Sequence, residues 1–378
     1  MLSPNSYLIG RPGSRGELDT PALLIDIEAF ERNIAKMAEY ARTRRVQLRP
    51  HAKTHKSVTI ARRQIDAGAV GICCATLGEA EVMVQGGIPG VHITSPQVTV
   101  AKIERLIALN KVAPPGLSVV IDHPDNLKAL DAAAQRADTR LAVLIDFTAG
   151  HGRTGCADAD AVVALARAAT SARGLALRGI QSYSGNLQHI PQRVERLRRA
   201  QEQRDILRRV IQQVRSAGIA VEIVTGAGTG TYDLDGEDGP FTELQVGSYV
   251  FMDVDYQRAL LDGINTPAFE TSLFVSTAVV SANASGYVTT DAGLKCFATD
   301  GPVPDVAAGA PAGSLYQFFG DEHGKLILPV GTAKPPIGTR IECVTPHCDP
   351  TVNLHDAYHV VRGDMLIDIW PVDARGKR

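Results

Sequence analysis

Between about residues 46 and 250, short β-branched runs alternate with stretches in which apolar residues recur every three or four positions. That rhythm predicts βα units and a parallel sheet. Eight runs read as strands: VQLRPHA (46 to 52), VGICCAT (70 to 76), VHITS (91 to 95), LSVVID (117 to 122), LAVLIDF (141 to 147), LRGIQSYS (177 to 184), VEIVTG (221 to 226) and ELQVGS (243 to 248). The intervening patterns, such as TVAKIERLIALN and the long VERLRRAQEQRDILRRVIQQVRSAG, read as helices closed by Gly or a polar turn. Eight such units predict an α/β fold built on a (β/α)8 TIM barrel, with a doubly wound sheet as the alternative. A further strand (22 to 26), in ALLIDIEAFERNIAKMAEYARTR, precedes these units and is expected to pair outside the barrel. After about residue 265 the pattern changes to short alternating runs with Gly and Pro turns, including GKLILPV and GTRIECVTP, and predicts a mostly antiparallel β domain. The expected division is 28–264 for the barrel and 1–27 together with 265–378 for the β domain.

Charge narrows the choice of partner. The 39 Lys plus Arg nearly balance the 41 Asp plus Glu, which argues against a nucleic-acid groove or an anionic membrane surface and for a small-molecule substrate. The N-terminal stretch has no basic segment followed by an apolar one, and no later apolar run approaches a membrane span, so a soluble, cytoplasmic protein is expected. The six cysteines lack C-x-x-C spacing and read as reduced core thiols, except Cys348, which lies between His347 and Asp349.

In barrels of this kind the functional groups cluster at the C-terminal strand ends. Those ends carry Lys53, Thr76, Ser95, Asp122, Arg153, Tyr183 with His189 beyond it, the run TGAGTG (225 to 230), and Gly247-Ser248-Tyr249. A Gly-rich run can present several N–H groups to a phosphate, and phosphate sites in these barrels frequently follow the seventh and eighth strands. Lys53, desolvated at the same mouth, could attack a carbonyl and form an imine. A phosphate-bearing aldehyde held at both ends in this way is pyridoxal 5'-phosphate. His51 and His55 alternate with Lys53 and are expected to share its face. Arg153 is a candidate for the ring or a carboxylate, Tyr183 for the pyridine ring, and His189 for proton transfer. In TPHCDPTVNLHD (345 to 356), His347 and Asp349 would share one face of a strand and could bind a divalent cation; the alternative is a hydrogen-bonded His–Asp pair. His323, in DEHG, is a third candidate ligand, and DAGLK (291 to 295) reads as a turn without an assigned role.

Taken in order, RPHAKTHK, GICCATLGEAE, GRTGC, QSYSGNLQH, TGAGTGTYDLD, ELQVGSYVFMD, DAGLK, DEHG and HCDPTVNLHD resemble the fold type III pyridoxal-phosphate enzymes of the D-threonine aldolase and D-serine dehydratase group. The resemblance runs from about residue 18 to the end. It implies an alanine-racemase-like barrel with a β domain, and a homodimer. It makes Lys53 the cofactor lysine, Thr225, Gly226, Gly228, Thr229, Ser248 and Tyr249 phosphate and cofactor contacts, Arg153 and Tyr183 ring contacts, and His189 a substrate-side base. His347 and Asp349 match the metal ligands of the aldolase branch, whereas the dehydratase branch has Cys at the second position. An oxygen ligand favours Mn²⁺ or Mg²⁺, with Zn²⁺ as the alternative. Ala75-Thr76 after GICC departs toward the dehydratase side. The expected activity is cleavage of D-3-hydroxy-amino acids to glycine and an aldehyde. Its alternatives are a D-serine or 3-hydroxyaspartate dehydratase, an amino-acid racemase and a non-catalytic pyridoxal-phosphate carrier.

Overall fold

The computed structural model describes residues 3–148, 150, 152–260 and 268–378. The expected boundary at 264/265 lies outside them. In chain order the elements begin with β1 (Ala22–Asp26), α1 (Ile27–Arg44), β2 (Gln47–Leu48), α2 (Val58–Asp66), β3 (Cys73–Cys74), α3 (Leu77–Gln85), β4 (His92–Ile93), α4 (Val100–Val112) and β5 (Ser118–Ile121). They continue with α5 (Pro124–Arg136), β6 (Leu141–Asp146), α6 (Ala159–Ser171), β7 (Leu175–Ser182), α7 (Arg193–Ser216), β8 (Ile223–Gly226), α8 (Tyr232–Asp238), β9 (Glu243–Leu244) and α9 (Val254–Leu260). The remainder is β10 (Leu273–Ser281), β11 (Tyr287–Thr290), β12 (Asp305–Ala308), β13 (Leu315–Phe318), β14 (Gly324–Ile327), β15 (Arg340–Val344), α10 (Cys348–Val352), β16 (Ala357–Arg362) and β17 (Met365–Pro371). Two compact units divide the chain: Met1–Ala35, Thr54–Thr59 and Ser248–Gly376 form one, and Lys36–Lys53, Ile60–Gly247 and Lys377–Arg378 the other.

The second of these, the parallel unit, holds an eight-stranded parallel sheet in the order β2-β9-β8-β7-β6-β5-β4-β3. Its central strands are buried runs of Val, Ile and Leu, as a sheet covered on both faces requires. Each of the eight expected strands is present, but the regular ladder is an open, curled one instead of the continuous closed barrel that the pattern predicts. The reason lies in the first strand. Pro50 has no N–H to donate, and the chain turns into a 3-10 helix at Ala52–Thr54, so β2 is reduced to a pair of residues. Between β2 and β3 there remain a lone parallel bridge, His51 with Cys73, and backbone bonds from Val70 N to Leu48 O (2.9 Å) and Cys73 N to Pro50 O (2.7 Å).

Arg49 occupies that seam. Its Nε and Nη2 donate to Glu243 Oε2 and Oε1, both at 2.8 Å, and its Nη1 donates to Gly90 O. The pair is almost fully enclosed, with side-chain exposures of 10% and 4%. Gly71 and Gly90 make room for it: a Cβ on Gly71 would overlap both Gly90 O and the guanidinium, and Gly90 adopts φ +62°, where glycine is favoured. The helices are set by ordinary signals. Thr76 caps α3 through a capping box with Glu79, so Thr76 has a structural use.

The other unit is a nine-stranded sheet in the order β13-β14-β11-β10-β1-β16-β17, with β15 pairing β10 and β12. β1 is its centre, antiparallel to β10 (Leu24 opposite Phe274) and parallel to β16 (Leu24 opposite His359). Leu8, Leu18, Ala22, Leu24, Val361 and Leu366 form one core cluster. Two sequence motifs are used structurally. Asp291 of DAGLK accepts from Thr20 Oγ1 and Thr277 Oγ1, each at 2.6 Å, and from Ala278 N at 2.8 Å. DEHG then packs on DAGLK: Leu294 N and Lys295 N donate to Gly320 O and Asp321 O, both at 3.1 Å, where a Cβ on Gly293 would collide with backbone.

Replacing Arg49 by Met leaves Glu243 buried without its ion partner, and should cost about 3–5 kcal/mol of stability. Urea unfolding of the single and double variants checks this: Arg49→Met with Glu243→Leu should recover most of the loss, because the uncompensated charge is then gone.

Candidate active site

In the parallel unit, Lys53 stands on the 3-10 turn after β2 and lines a cavity of about 280 Å³ with His51, Thr94, Arg153, Tyr183 and Gln245. Ala75, Ser95, Thr154 and Gln181 complete the wall. The expected strand-end residues Lys53, Ser95, Arg153 and Tyr183 are thus brought together. His51 Nδ1 accepts from Lys53 N (3.3 Å), and its Nε2 meets Thr94 Oγ1 at 3.3 Å, so His51 fixes the turn that bears the lysine. The Arg153 guanidinium carbon lies 5.6 Å from the Tyr183 ring centroid, within cation–π range. His55 does not share the face of Lys53. The 3-10 turn breaks the strand alternation, and His55 is buried with Nδ1 accepting from Ser57 N at 3.1 Å.

The floor of this cavity is a hydrogen-bonded network of buried polar groups. Gln181 Nε2 donates to Asp146 Oδ1 (3.0 Å), and Gln181 Oε1 accepts from Gln245 Nε2 (3.1 Å) and pairs with His92 Nε2 (3.0 Å). His92 Nδ1 meets Ser118 Oγ at 2.8 Å, and Gln245 Nε2 also reaches Thr225 Oγ1 at 3.1 Å. Burial pulls His92 down to about 4, with Arg49 acting in the same direction, so the ring is neutral at neutral pH. Asp146 is raised, chiefly by burial, while hydrogen bonds from Thr154 and Gln181 oppose the shift. Sequence reading did not single out Gln181, Gln245 or His92. The available signal was an amide or imidazole inside an apolar strand run (GIQSYS, ELQVGS, VHITS), since such a group must be hydrogen-bonded to be buried.

The glycine run packs closely against Gln188 and Thr231. Gly230 N donates to Gln188 Oε1 (2.9 Å), and Gly228 N makes a long bond to Thr231 Oγ1 (3.4 Å). A Cβ on Gly228 would overlap the Gln188 amide, and one on Gly230 the Gln188 carbonyl. Close packing of buried Gln188 therefore explains both glycines. Ala227 takes φ +63°, giving the run its sharp turn. His189, next in sequence to Gln188, is exposed on the turn and is not among the residues lining the Lys53 cavity.

In the β unit, His347 and Asp349 come together, but through a different local structure. His347 is the N-cap of α10 and Asp349 lies in that helix's first turn, so the strand alternation is replaced by a helical one. Cys348 consequently sits beside Asp349, its Sγ 3.3 Å from Oδ2, and not on an opposite strand face. Buried Asp253 accepts from Cys348 N and Tyr256 N, both at 2.8 Å, which ties the start of α9 to the start of α10. Ser248 Oγ lies 3.5 Å from Asp349 Oδ2, and buried Tyr249 packs edge-on against Phe269 at 5.6 Å. His347 Nδ1 is 2.9 Å from Asp300 Oδ2, whereas His347 Nε2 and Asp349 Oδ2 stand 3.9 Å apart. Burial lowers His347, but the carboxylates of Asp349, Asp253 and Asp300 outweigh it and the net shift is upward.

The 3.9 Å gap is too long for a hydrogen bond, and the imidazole and carboxylate that face each other across it are a donor set suited to a divalent ion. Among the described residues no group of three or more His, Cys, Asp or Glu that could hold a metal occurs. His323 is exposed on the turn before β14 and takes no part in this pair. All six cysteines are buried free thiols. Among the described residues no helix is long and apolar enough to cross a membrane.

Two family models match the chain: "Alanine racemase, N-terminal domain" over residues 25–255 and "Putative serine dehydratase domain" over 272–361. A D-threonine aldolase of Arthrobacter sp is 40% identical over 95% of this chain and 93% of its own length. A 3-hydroxy-D-aspartate aldolase of Paracoccus denitrificans (strain Pd 1222) is 37% identical over 97% of this chain and 95% of its own. The crystal structure of D-threonine aldolase from Filomicrobium marinum superposes with a TM-score of 0.91 at 40% identity, covering 96% of this chain and 97% of that one. With the curled parallel sheet, the lysine-lined cavity and the second β unit already described, these likenesses define the class: the chain belongs to the fold type III pyridoxal-phosphate family of aldolases and dehydratases. Within it the chain is closely related to D-threonine aldolase and 3-hydroxy-D-aspartate aldolase, and it is a lyase-type enzyme that uses pyridoxal phosphate.

The neutral His92 carries a pH signature. The unfolded ring takes up a proton near 6.5 and the folded one only near 4, so its contribution is complete above 6.5 and is lost as pH falls toward 4, by about 3 kcal/mol in all. Asp235, raised by burial to about 6, acts with the opposite sign over an overlapping window, so the measurement is a difference. The stability of the wild-type protein relative to His92→Gln, from urea unfolding at pH 7 and pH 4.5, should fall with the pH.

Proposed function

We propose that the protein is a divalent-metal-dependent, pyridoxal-phosphate aldolase that cleaves D-3-hydroxy-amino acids, of the D-threonine, D-phenylserine or 3-hydroxyaspartate type, to glycine and an aldehyde. The observation that carries this reading is the donor pair of His347 Nε2 and Asp349 Oδ2, an imidazole with an oxygen and no thiolate in the second position. Such a set favours Mn²⁺ or Mg²⁺ over Zn²⁺. The reading divides the chain into a cofactor-binding (β/α)8 barrel (28–264) and a β domain (1–27 with 265–378) that supplies the metal ligands. It has the enzyme working as a homodimer in the cytoplasm.

When bound, pyridoxal phosphate supplies the sink for the electrons of the breaking Cα–Cβ bond, and the cation supplies a Lewis acid for the β-hydroxyl. Lys53 holds the cofactor by its amine, on a turn whose backbone is fixed by His51. Arg153 and Tyr183, already in contact with each other, hold the ring. Thr225, Gly226, Gly228, Thr229, Ser248 and Tyr249 hold the phosphate end and the cofactor body. His189 takes the proton from the substrate β-hydroxyl at a ring nitrogen. Gln181 links Gln245 and His92 to Asp146, so the floor of the cavity is held in one arrangement.

Incubation of the purified, cofactor-loaded protein with D-threonine, D-3-hydroxyaspartate or D-serine and Mn²⁺ decides between reactions. Glycine with an aldehyde is the expected outcome; a keto acid with ammonia would make the protein a dehydratase, and racemisation that survives EDTA would make it a racemase. Lys53→Ala should abolish the visible absorbance of the bound cofactor together with activity, while His347→Ala should keep the absorbance and lose at least ~10²-fold in kcat/KM.

A further inference from the structure

Asp300 was not singled out by its sequence context, and it takes no part in the donor pair described above. It lies in the connection between β11 and β12, and that connection is pinned onto α10 and the segment that follows it. His355 Nε2 donates to Cys296 O (2.9 Å), and Ala298 N donates to Thr351 Oγ1 (2.9 Å). Buried Thr351 in turn donates to His347 O at 2.8 Å. One side chain thus couples the backbone of the metal-site histidine to the loop that carries the aspartate. The result is the 2.9 Å contact between Asp300 Oδ2 and His347 Nδ1, across a sequence separation of 47 residues.

The two ring nitrogens diverge, so a carboxylate on Nδ1 cannot bind the ion that Nε2 binds. An ionised carboxylate only accepts hydrogen bonds; the proton of a neutral ring paired with Asp300 therefore resides on Nδ1, and the lone pair is left on Nε2, the nitrogen nearest Asp349. We infer that Asp300 is a positioning residue for a divalent cation at His347 and Asp349: it selects the metal-binding tautomer, fixes the ring plane and raises the donor strength of Nε2. On the far side of the gap, Cys348 Sγ and Ser248 Oγ, at 3.3 and 3.5 Å from Asp349 Oδ2, restrict the carboxylate in the same manner. The inference rests on the metal-dependent reading above and adds to it the residue that prepares the histidine.

The test uses the full-length, cofactor-loaded protein and Mn²⁺ itself, titrated with detection of free ion by electron paramagnetic resonance. The wild-type protein should bind, and His347→Ala should not. Asp300→Ala should bind 10–100-fold more weakly, with Asp300→Asn, which keeps an acceptor oxygen but loses the charge, between the two. Asp300 is more than half exposed, so thermal unfolding and cofactor absorbance should be unchanged in both variants. Asp300→Asn alone decides the matter if the alanine variant fails to fold. Mn²⁺ affinity of the Asp300 variants within twofold of wild type, with binding lost in His347→Ala, would overturn this inference and leave the metal-dependent reading standing. A wild-type protein that does not bind Mn²⁺ would overturn both.

Discussion

Arg49 carries a charge into the seam where the parallel sheet has too few backbone hydrogen bonds to hold itself together. Pro50 removes a donor, the end strands offer two paired residues each, and the guanidinium answers with a bidentate bond to Glu243 on β9 and a third bond to Gly90 O beside β4. A side chain here joins β9 to the turn before β4 across the side of the first strand where the ladder is nearly unpaired. The lysine of the active site lies four residues further on, beyond a turn that starts from this anchorage. Because breaking one partner of a buried ion pair costs more than the pair contributes, the arrangement is intolerant of partial change, and Gly71 and Gly90 are fixed by the same requirement for space.

Much of the fold was legible because burial on both faces writes itself as β-branched runs. Each of the eight parallel strands coincides with such a run, and β1 lies in a separate sheet as its position before the first βα unit suggested. What the pattern did not disclose was how much of each run is paired. VQLRPHA reads as seven strand residues, yet only Gln47–Leu48 belong to the ladder, since proline and the following 3-10 turn act through hydrogen bonding, to which apolar periodicity is blind. The same blindness hid α10, whose CDPTV carries too few turns for a helical period to be seen.

The candidate site was legible in its charged members and illegible in its neutral ones. Lys53, Arg153, Tyr183, His347 and Asp349 stand out by residue type at strand ends, and the structure groups the first three around one cavity and the last two across one gap. Gln181, Gln245, His92, Gln188 and Asp300 were missed because their importance is relational: each matters through a partner 26 or more residues distant, given by tertiary contact alone. The glycine run carries a constraint its sequence did not show: Gly228 and Gly230 are also required by the approach of Gln188 from within the chain.

The two sets of groups also differ in charge, and the difference suits what each is asked to hold. Beneath Lys53 the floor is built from amides, hydroxyls and an imidazole kept neutral by burial, with the Asp146 carboxyl bound to Gln181 and Thr154 and pushed by burial toward its neutral form. Around His347 the balance is the reverse, with the carboxylates of Asp253, Asp300 and Asp349 raising its affinity for a proton against the pull of burial. Such a field attracts any cation. A simple His–Asp ion pair would satisfy it by closing to hydrogen-bonding distance, but here the imidazole's short contact is made with Asp300 on the other nitrogen, while Asp349 is held back at 3.9 Å by a helix turn and by its neighbours Cys348 and Ser248. Under the metal-dependent reading proposed above, these engagements leave the facing nitrogen and oxygen 3.9 Å apart as the two protein ligands.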